Sequence, residues 1–382
     1  MRIRLCQDAP PRLSTTLVIA AALIALGFLW SHALNQNRRP ILLWENTSAD
    51  PPKPLDLSQK KVIRILSING GGARGIIPLM ALADLESRTG KPALELFDLF
   101  TGISIGGVVA VGVLLQSPCG DPLYSAEELL QRFTEEAPSI FNPPTENVLI
   151  TLDGLLGPKY SSKHKNALLM KLFGPTAFGQ LQKPCMLLGF NLATCQPETM
   201  ENWRAPWHAF PAIDILNVST NFPGISSPVF LKSQNQNLPM IADMGLVEMD
   251  PSLLALQRVR KIAPDAQIIL INLGTGGYAL DENSASISRW DEMRWISTLF
   301  PTIASGSIAV TQRNMRAEQA TLGPERLKYY VVDVPMPPGL FCNGFDASPQ
   351  NLADIQAMGN ACLKQNAATL NEIAALLVQA DD

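Results

Sequence analysis

The stretch "VIRILSINGGGARGI", residues 62–76, constrains the fold of this chain more than any other. A β-branched apolar run bounded by glycine and followed by a helical pattern reads as a strand buried on both faces, and such strands belong to parallel sheets covered by helices. Three consecutive glycines leave the backbone bare where the helix is to begin. Gly70, Gly72 and Gly75 fit the G-x-G-x-x-G spacing of a dinucleotide-binding turn, whose free amides receive a pyrophosphate. The same amides can donate to an oxyanion instead. Residues further along the chain decide between the two.

The strand-then-helix alternation continues. "IIPLMALADLESRTG" is a helix stopped by Gly90, and "LFDLFTGIS" is a strand followed by the helix "IGGVVAVGVLLQ". "CMLLGFNL", "AQIILINLGTG" and "KYYVVDV" supply further strands, with a long helical stretch from about Ile287 to Ala320 and a C-terminal helix after Ser348. The pattern predicts an α/β fold of three layers, α/β/α, around a mostly parallel central sheet. With 382 residues, 47% of them hydrophobic, the chain is long enough for a sizeable core. A net charge of −4 without a long Lys/Arg block sets nucleic-acid partners aside, because phosphate contacts need clustered cations.

The first residues differ in character. Arg2, Arg4 and Arg12 precede an uninterrupted apolar run from Leu17 to Trp30, and Arg38 and Arg39 follow it. Extended by Thr15, Thr16 and the residues to Leu34, the run reaches the length of a single-pass membrane anchor. Read strictly, it has the length of a signal-peptide core, with Ser31, His32 and Ala33 placed for cleavage after Ala33. The expected organisation is a hydrophobic segment at 1–39, a Pro-rich and polar linker at 40–60, and one folded domain at 61–380. Cys185 with Cys195, or Cys342 with Cys362, could pair in an oxidising compartment; buried free thiols are the alternative.

"LFDLFTGISIGGVV" places Ser104 between Gly102 and Gly106 at a strand-to-helix junction. This is the G-x-S-x-G elbow, in which flanking glycines allow a sharp turn that exposes a serine hydroxyl. A serine nucleophile needs a base, and the three histidines are poor candidates: His32 lies by the N-terminal apolar run, and His164 and His208 sit in polar or loop-like surroundings. A carboxylate is the other option. "LPMIADMGLVEMDPS" presents Asp243 after a short apolar strand and before a turn at Gly245, with Asp250 and Asp214 as further candidates.

Together these segments resemble the patatin-like phospholipase family. "NGGGARG" is similar to its glycine-rich oxyanion motif, "GISIG" to its serine elbow and "DMG" to its aspartate motif, in the family's chain order. Fainter similarity runs through "KYSSKHKNALLMKLFG", "STNFPGISSPVF", "INLGTGG" and "FDASPQNLADIQAMG". The resemblance implies a hydrolase with a Ser-Asp dyad and no histidine, cleaving fatty-acyl esters of membrane lipids: Ser104 as nucleophile, Asp243 as base, and Gly70, Gly71 and Gly72 as the oxyanion hole. No cofactor or metal is needed in that scheme, and its partners are a lipid substrate and a membrane. Two positions depart from the family pattern. Asn69 stands where Asp is usual, and Met244 follows Asp243 where glycine is usual. If that backbone position requires positive φ, Met244 is costly and the aim of Asp243 suffers.

The elbow settles the reading of the glycines at sequence level. A ribose-binding acid is expected about 20 residues beyond them at the end of the next strand, and Glu95 precedes that strand. The oxyanion role is therefore expected for residues 70–72, with Gly75 supporting the loop and Arg74 either holding a phosphate head group or bracing the loop. Two rival functions are a membrane-tethered, catalytically weak lipid-binding homologue and a nucleotide-binding oxidoreductase.

Overall fold

Strand β2 (Val62–Ile68) forms the middle of the sheet and explains the layering. Its side chains alternate. Ile63 and Ile65 enter one core cluster with Leu256, Val259 and Met315, whereas Leu66 and Ile68 enter the other with Ile77, Leu82 and Val109. A strand apolar on both faces is stable only between two layers of helix, and that is the arrangement found. The computed structural model describes residues 15–38, 41–46, 50–53, 55, 57–117, 119–142, 160, 162–226, 229–234, 236–277, 284–337 and 342–379.

On one side β2 pairs in parallel with β3 (Leu99–Ile103), and β3 with β4 (Cys185–Asn191). On the other it pairs in parallel with β8 (Gln267–Leu273), and β8 with β9 (Leu327–Val332). Strand β5 (Gln196–Glu201) closes the far edge antiparallel to β4, giving the order β5-β4-β3-β2-β8-β9. The expected α/β architecture with a mostly parallel sheet is present. Helix α2 (Ile76–Thr89) follows the glycines and ends at Gly90, which takes the left-handed conformation at φ 64°. Helix α3 (Ile105–Gly112) follows β3. Helices α4 (Ala126–Phe141), α5 (Ser162–Phe173) and α6 (Ala212–Ser219) belong to the same face. Helices α7 (Ser252–Ile262) and α8 (Glu292–Leu322) cover the opposite one. The C-terminal pair, α9 (Pro349–Gln365) and α10 (Ala367–Val378), packs on α2 through Ile355, Met358, Leu370 and Ile373.

The short strand β7 (Ile241–Asp243) has a special position. It runs antiparallel to the last residues of β4, with Gly189 opposite Asp243, just beyond the point where β3 stops at the Ile103–Leu188 pair. Two chain ends from distant sequence therefore meet against one strand.

The N-terminal expectation needs correction. Thr15–Arg38 is a helix, α1, yet among the described residues no helix is long and apolar enough to cross a membrane. The strictly apolar run, Leu17–Trp30, rises about 21 Å as a helix, short of a hydrocarbon core of about 30 Å. Beyond it the helix continues through His32, Asn35, Gln36 and Arg38 rather than through further apolar residues. The single-pass anchor is overturned. The export alternative gains no support, since Ala33 lies inside this continuous helix. Arg2, Arg4, Cys6 and Arg12 lie outside the described residues. Within 40–60, expected as a linker, Ile41–Trp44 forms β1 in parallel with β6 (Val229–Lys232), and Leu57 is buried in the core.

Candidate active site

Ser104 sits at the turn between β3 and α3 with φ 54° and ψ −123°, a backbone conformation that a residue with a side chain rarely adopts. The flanking glycines make the turn possible. A Cβ on Gly102 would lie 2.2 Å from the carbonyl carbon of Gly106, and a Cβ on Gly106 would lie 2.2 Å from the Ile68 carbonyl oxygen. Neither clash involves a flexible side chain, so the G-x-S-x-G spacing is a packing requirement of the elbow.

Asp243 ends β7 and is buried. Its backbone N–H donates to the Asn221 carbonyl at 3.1 Å, and its Oδ1 accepts from the Gly245 N–H at 2.8 Å. Burial pushes the carboxyl up to about 6. The Ser104 hydroxyl as hydrogen-bond partner, the Gly245 N–H and the Lys165 ammonium act in the opposite direction. Met244 imposes no strain on this turn. Among the described residues only Ser104 and Cys195 combine a side chain with positive φ, and Met244 opens a 3₁₀ turn with its side chain buried in the core around Leu256. The expected cost of a side chain after Asp243 is absent.

The glycine loop lies against the elbow, and its residues differ in what they do. Gly70 donates its N–H to the Met249 carbonyl at 3.0 Å, and its own carbonyl accepts from Thr275 Oγ1 at 2.5 Å. A Cβ on Gly71 would come within 2.7 Å of the Thr275 side chain. Gly72 has φ 59°, and a Cβ there would lie 2.1 Å from the Gly344 carbonyl oxygen. Gly75 packs on Ile105 so closely that a Cβ would stand 2.4 Å from its Cγ1. Arg74 is buried and braces the loop: Nη1 donates to the Gly276 carbonyl at 2.8 Å and Nε reaches the Gly71 carbonyl at 3.4 Å. Asn69, at the other departure from the family pattern, is fully buried and accepts from Asn272 Nδ2 at 2.8 Å. It supports the loop as an amide.

Ser104, Asp243 and Gly72 open together into a pocket with walls that include Val108, Phe133, Ile140, Leu169, Phe222 and Ile225. Such a shape, apolar with a few converging polar groups, suits a hydrocarbon chain next to one reactive bond. A smaller hollow shares Ser104, Gly72 and Asp243 and extends toward Gly71, Arg74 and Met249. Phe222, Phe300 and Phe345 line the hollow as one aromatic cluster, with ring centroids 5.0–6.0 Å apart.

The sequence profile of the patatin-like phospholipase family matches residues 66–256, which holds the glycine loop, the elbow and Asp243. This chain belongs to the patatin-like phospholipase family. It is 25% identical over 269 residues to patatin-like protein 2 of Arabidopsis thaliana, covering 62% of this chain and 66% of that protein. It is 31% identical over 252 residues to the cGAMP-activated phospholipase of Escherichia coli (strain TW11681), covering 60% of this chain and 67% of that one. The chain thus spans about two thirds of the length of these relatives. Among solved structures, human GIVD cytosolic phospholipase A2 in complex with methyl gamma-linolenyl fluorophosphonate aligns with a TM-score of 0.43 at 9% identity, over 83% of this chain and 59% of that one.

Other sequence candidates lie elsewhere in this patatin-like domain. Asp214 is in the first turn of α6 and Asp250 is in a buried cluster with Ser252 and Asn272, and neither lines the cavity that holds Ser104. Burial pushes Asp214 up to about 6 and Asp250 to about 7. His208 occupies a short turn beside Gly179, away from that cavity, and the His164 side chain lies outside the described residues. Glu95 is in a four-residue helix ahead of β3. The five described cysteines are free thiols, Cys185, Cys342 and Cys362 buried and Cys119 and Cys195 exposed, so neither expected disulfide forms. Sequence reasoning missed Thr275, Met249, Gly344 and Lys165. Thr275, Met249 and Lys165 stood in stretches already noted for other residues, and Gly344 stood in none.

Proposed function

We propose that the chain is a serine lipid acyl hydrolase of phospholipase A type whose hydrolase domain spans 61–380. Asp243 takes the proton of Ser104 as Ser104 Oγ attacks the carbonyl carbon of a fatty-acyl ester. The resulting tetrahedral oxyanion is held by backbone N–H groups, and its collapse expels the alcohol, which takes the proton from Asp243. Water, deprotonated by the same carboxylate, then attacks the acyl-serine, releasing the fatty acid and restoring Ser104. Within the glycine triplet, Gly71 and Gly72 are the oxyanion donors, because the Gly70 N–H is engaged by Met249.

The observation that carries this reading is the placement of a strained Ser104 and a buried Asp243 at the head of one apolar cavity. The test is labelling of the full chain by a fluorophosphonate bearing an alkyl chain, with hydrolysis of phosphatidylcholine followed by analysis of the released lipids. Labelling and fatty-acid release, both lost in Ser104→Ala, are the expected result. Unchanged release in that variant overturns the assignment.

A further inference from the structure

Lys165 enters the cavity wall from α5, in a site whose other polar groups are Ser104, Asp243, Thr220 and Ser226 and the Tyr160 hydroxyl. Its ammonium is used in full. Nζ donates to the Asn217 carbonyl at 3.1 Å, to the Thr220 carbonyl at 3.3 Å and to Thr220 Oγ1 at 3.0 Å. Asn217 and Thr220 belong to the last turn and the cap of α6, where carbonyls lack partners within the helix and a cation is favoured by the helix dipole. The adjoining residue helps to hold the site: the Asn221 carbonyl accepts the backbone N–H of Asp243. The neighbouring pair also joins the same two helices, with Asn217 Nδ2 donating to Asn166 Oδ1 at 2.8 Å.

All three of these acceptors are neutral, so the hydrogen bonds fix the ammonium without cancelling its charge. The charged group that acts on Lys165 is Asp243. Acting on Asp243 in turn are Ser104 from the start of α3, Gly245 from its own turn, and Lys165 from α5.

We propose that Lys165 is a positioning residue for Asp243: it fixes the end of α6 that holds the Asp243 backbone, and its positive charge keeps the Asp243 carboxylate ionised in a site that otherwise disfavours charge. The inference rests on the proposed Ser-Asp reading. Burial brings the Lys165 ammonium down to about 8, so it is still a cation in the range where Asp243, at about 6, gains and loses its proton. Without the cation, the carboxyl should hold its proton to higher pH.

The experiment compares full-length wild type with Lys165→Met, Lys165→Gln and Lys165→Arg, using a short-chain p-nitrophenyl ester and reading kcat/KM at pH 6 and pH 8. An upward move of about one pH unit in Asp243 raises the ratio of the pH 8 rate to the pH 6 rate about five-fold. The two neutral variants should show that rise whatever their absolute rates, and Lys165→Arg should keep the wild-type ratio. A purely structural defect lowers the rate equally at both pH values, so an unchanged ratio in the neutral variants overturns the proposal. If both neutral variants lose cooperative melting while Lys165→Arg melts normally, Lys165 belongs to the framework, and that outcome counts against the proposal too. Ser104→Ala in the same buffers separates the two levels. Activity persisting there overturns the dyad itself, whereas an inactive Ser104→Ala with an unchanged ratio in Lys165→Met overturns only the role of Lys165.

Discussion

Ser104 and Asp243 stand next to one another because their strands end against adjacent residues of β4. Ile103, the last residue of β3, pairs with Leu188, and Asp243, the last residue of β7, pairs with Gly189. One strand arrives parallel to β4 and the other antiparallel, so Ser104, the residue after β3, and Asp243 come to the same pocket. Gly189 keeps the junction open, since a Cβ there would lie 2.3 Å from Ile241 Cγ2. In the proposed reaction this pairing replaces the loop-borne histidine of a triad.

Asp243→Asn should reduce ester hydrolysis by at least about 100-fold, because an amide cannot take the Ser104 proton while the shape is preserved. In the wild type, activity should fall as pH drops below about 6, where burial sets the Asp243 titration. A pH profile of kcat/KM checks both. If the variant stays active, Asp250 and Asp214 are not ready substitutes, since neither reaches the cavity.

Ser104→Gly should be inactive and slightly more stable than wild type. Glycine adopts the φ 54° of this position without the strain that serine bears there, a difference of about 1 kcal/mol. Thermal melting alongside fluorophosphonate labelling measures the two effects. A less stable Ser104→Gly would show that the hydroxyl makes a net stabilising contact.

Gly102→Ala and Gly90→Ala separate close approach from backbone conformation. At Gly102 the new methyl would collide with the backbone of Gly106 and Gly107, and the cost should exceed about 3 kcal/mol. At Gly90 a Cβ meets nothing within 4 Å, leaving only the left-handed conformation, worth about 1 kcal/mol. Urea unfolding of the two variants should give this order.

Met244→Gly should destabilise by about 2–5 kcal/mol and should not improve activity. The side chain is buried in a core cluster, and its backbone is free of the positive φ that a glycine would relieve. Equal stability and higher turnover would restore the strain argument.

Asp250→Asn should flatten the dependence of stability on pH. The Asp250 carboxyl titrates near 7 in the folded chain, pushed up by burial, against about 3.9 when unfolded. The folded state therefore retains a proton that the unfolded state has released. That stabilisation is full below about pH 4 and is lost as pH rises through about 7, with a total of roughly 1–4 kcal/mol. Asp243 and Asp214 act with the same sign and remain in the variant. Urea unfolding between pH 4.5 and 8 measures the slope, which should be shallower in Asp250→Asn.

The core of the fold was readable in the chain because its physics is local. Residues 62–76 and 99–112 carry strand, turn and helix in one continuous stretch, and the glycines that let each turn close sit at fixed spacing within it. The apolar N-terminal run misled for a related reason. Its local hydropathy resembles a spanning segment when the polar residues after Trp30 are counted as part of its length, although they end the apolar stretch. The Met244 expectation failed because φ at one residue depends on the turn it enters, and a 3₁₀ turn has no need of glycine there.

Sequence determined the elbow, the glycine loop and the candidate carboxylate, since each is a short motif whose chemistry follows from residue type and spacing. Only the tertiary structure decided that Asp243, and not Asp214 or Asp250, meets Ser104, because strand register brings together residues 139 positions apart and no local pattern records it. The same holds for the contacts of the glycine loop and of Lys165. Which amide is already bonded, and which helix end an ammonium reaches, is fixed by Met249 and Thr220, partners that packing brings from remote segments.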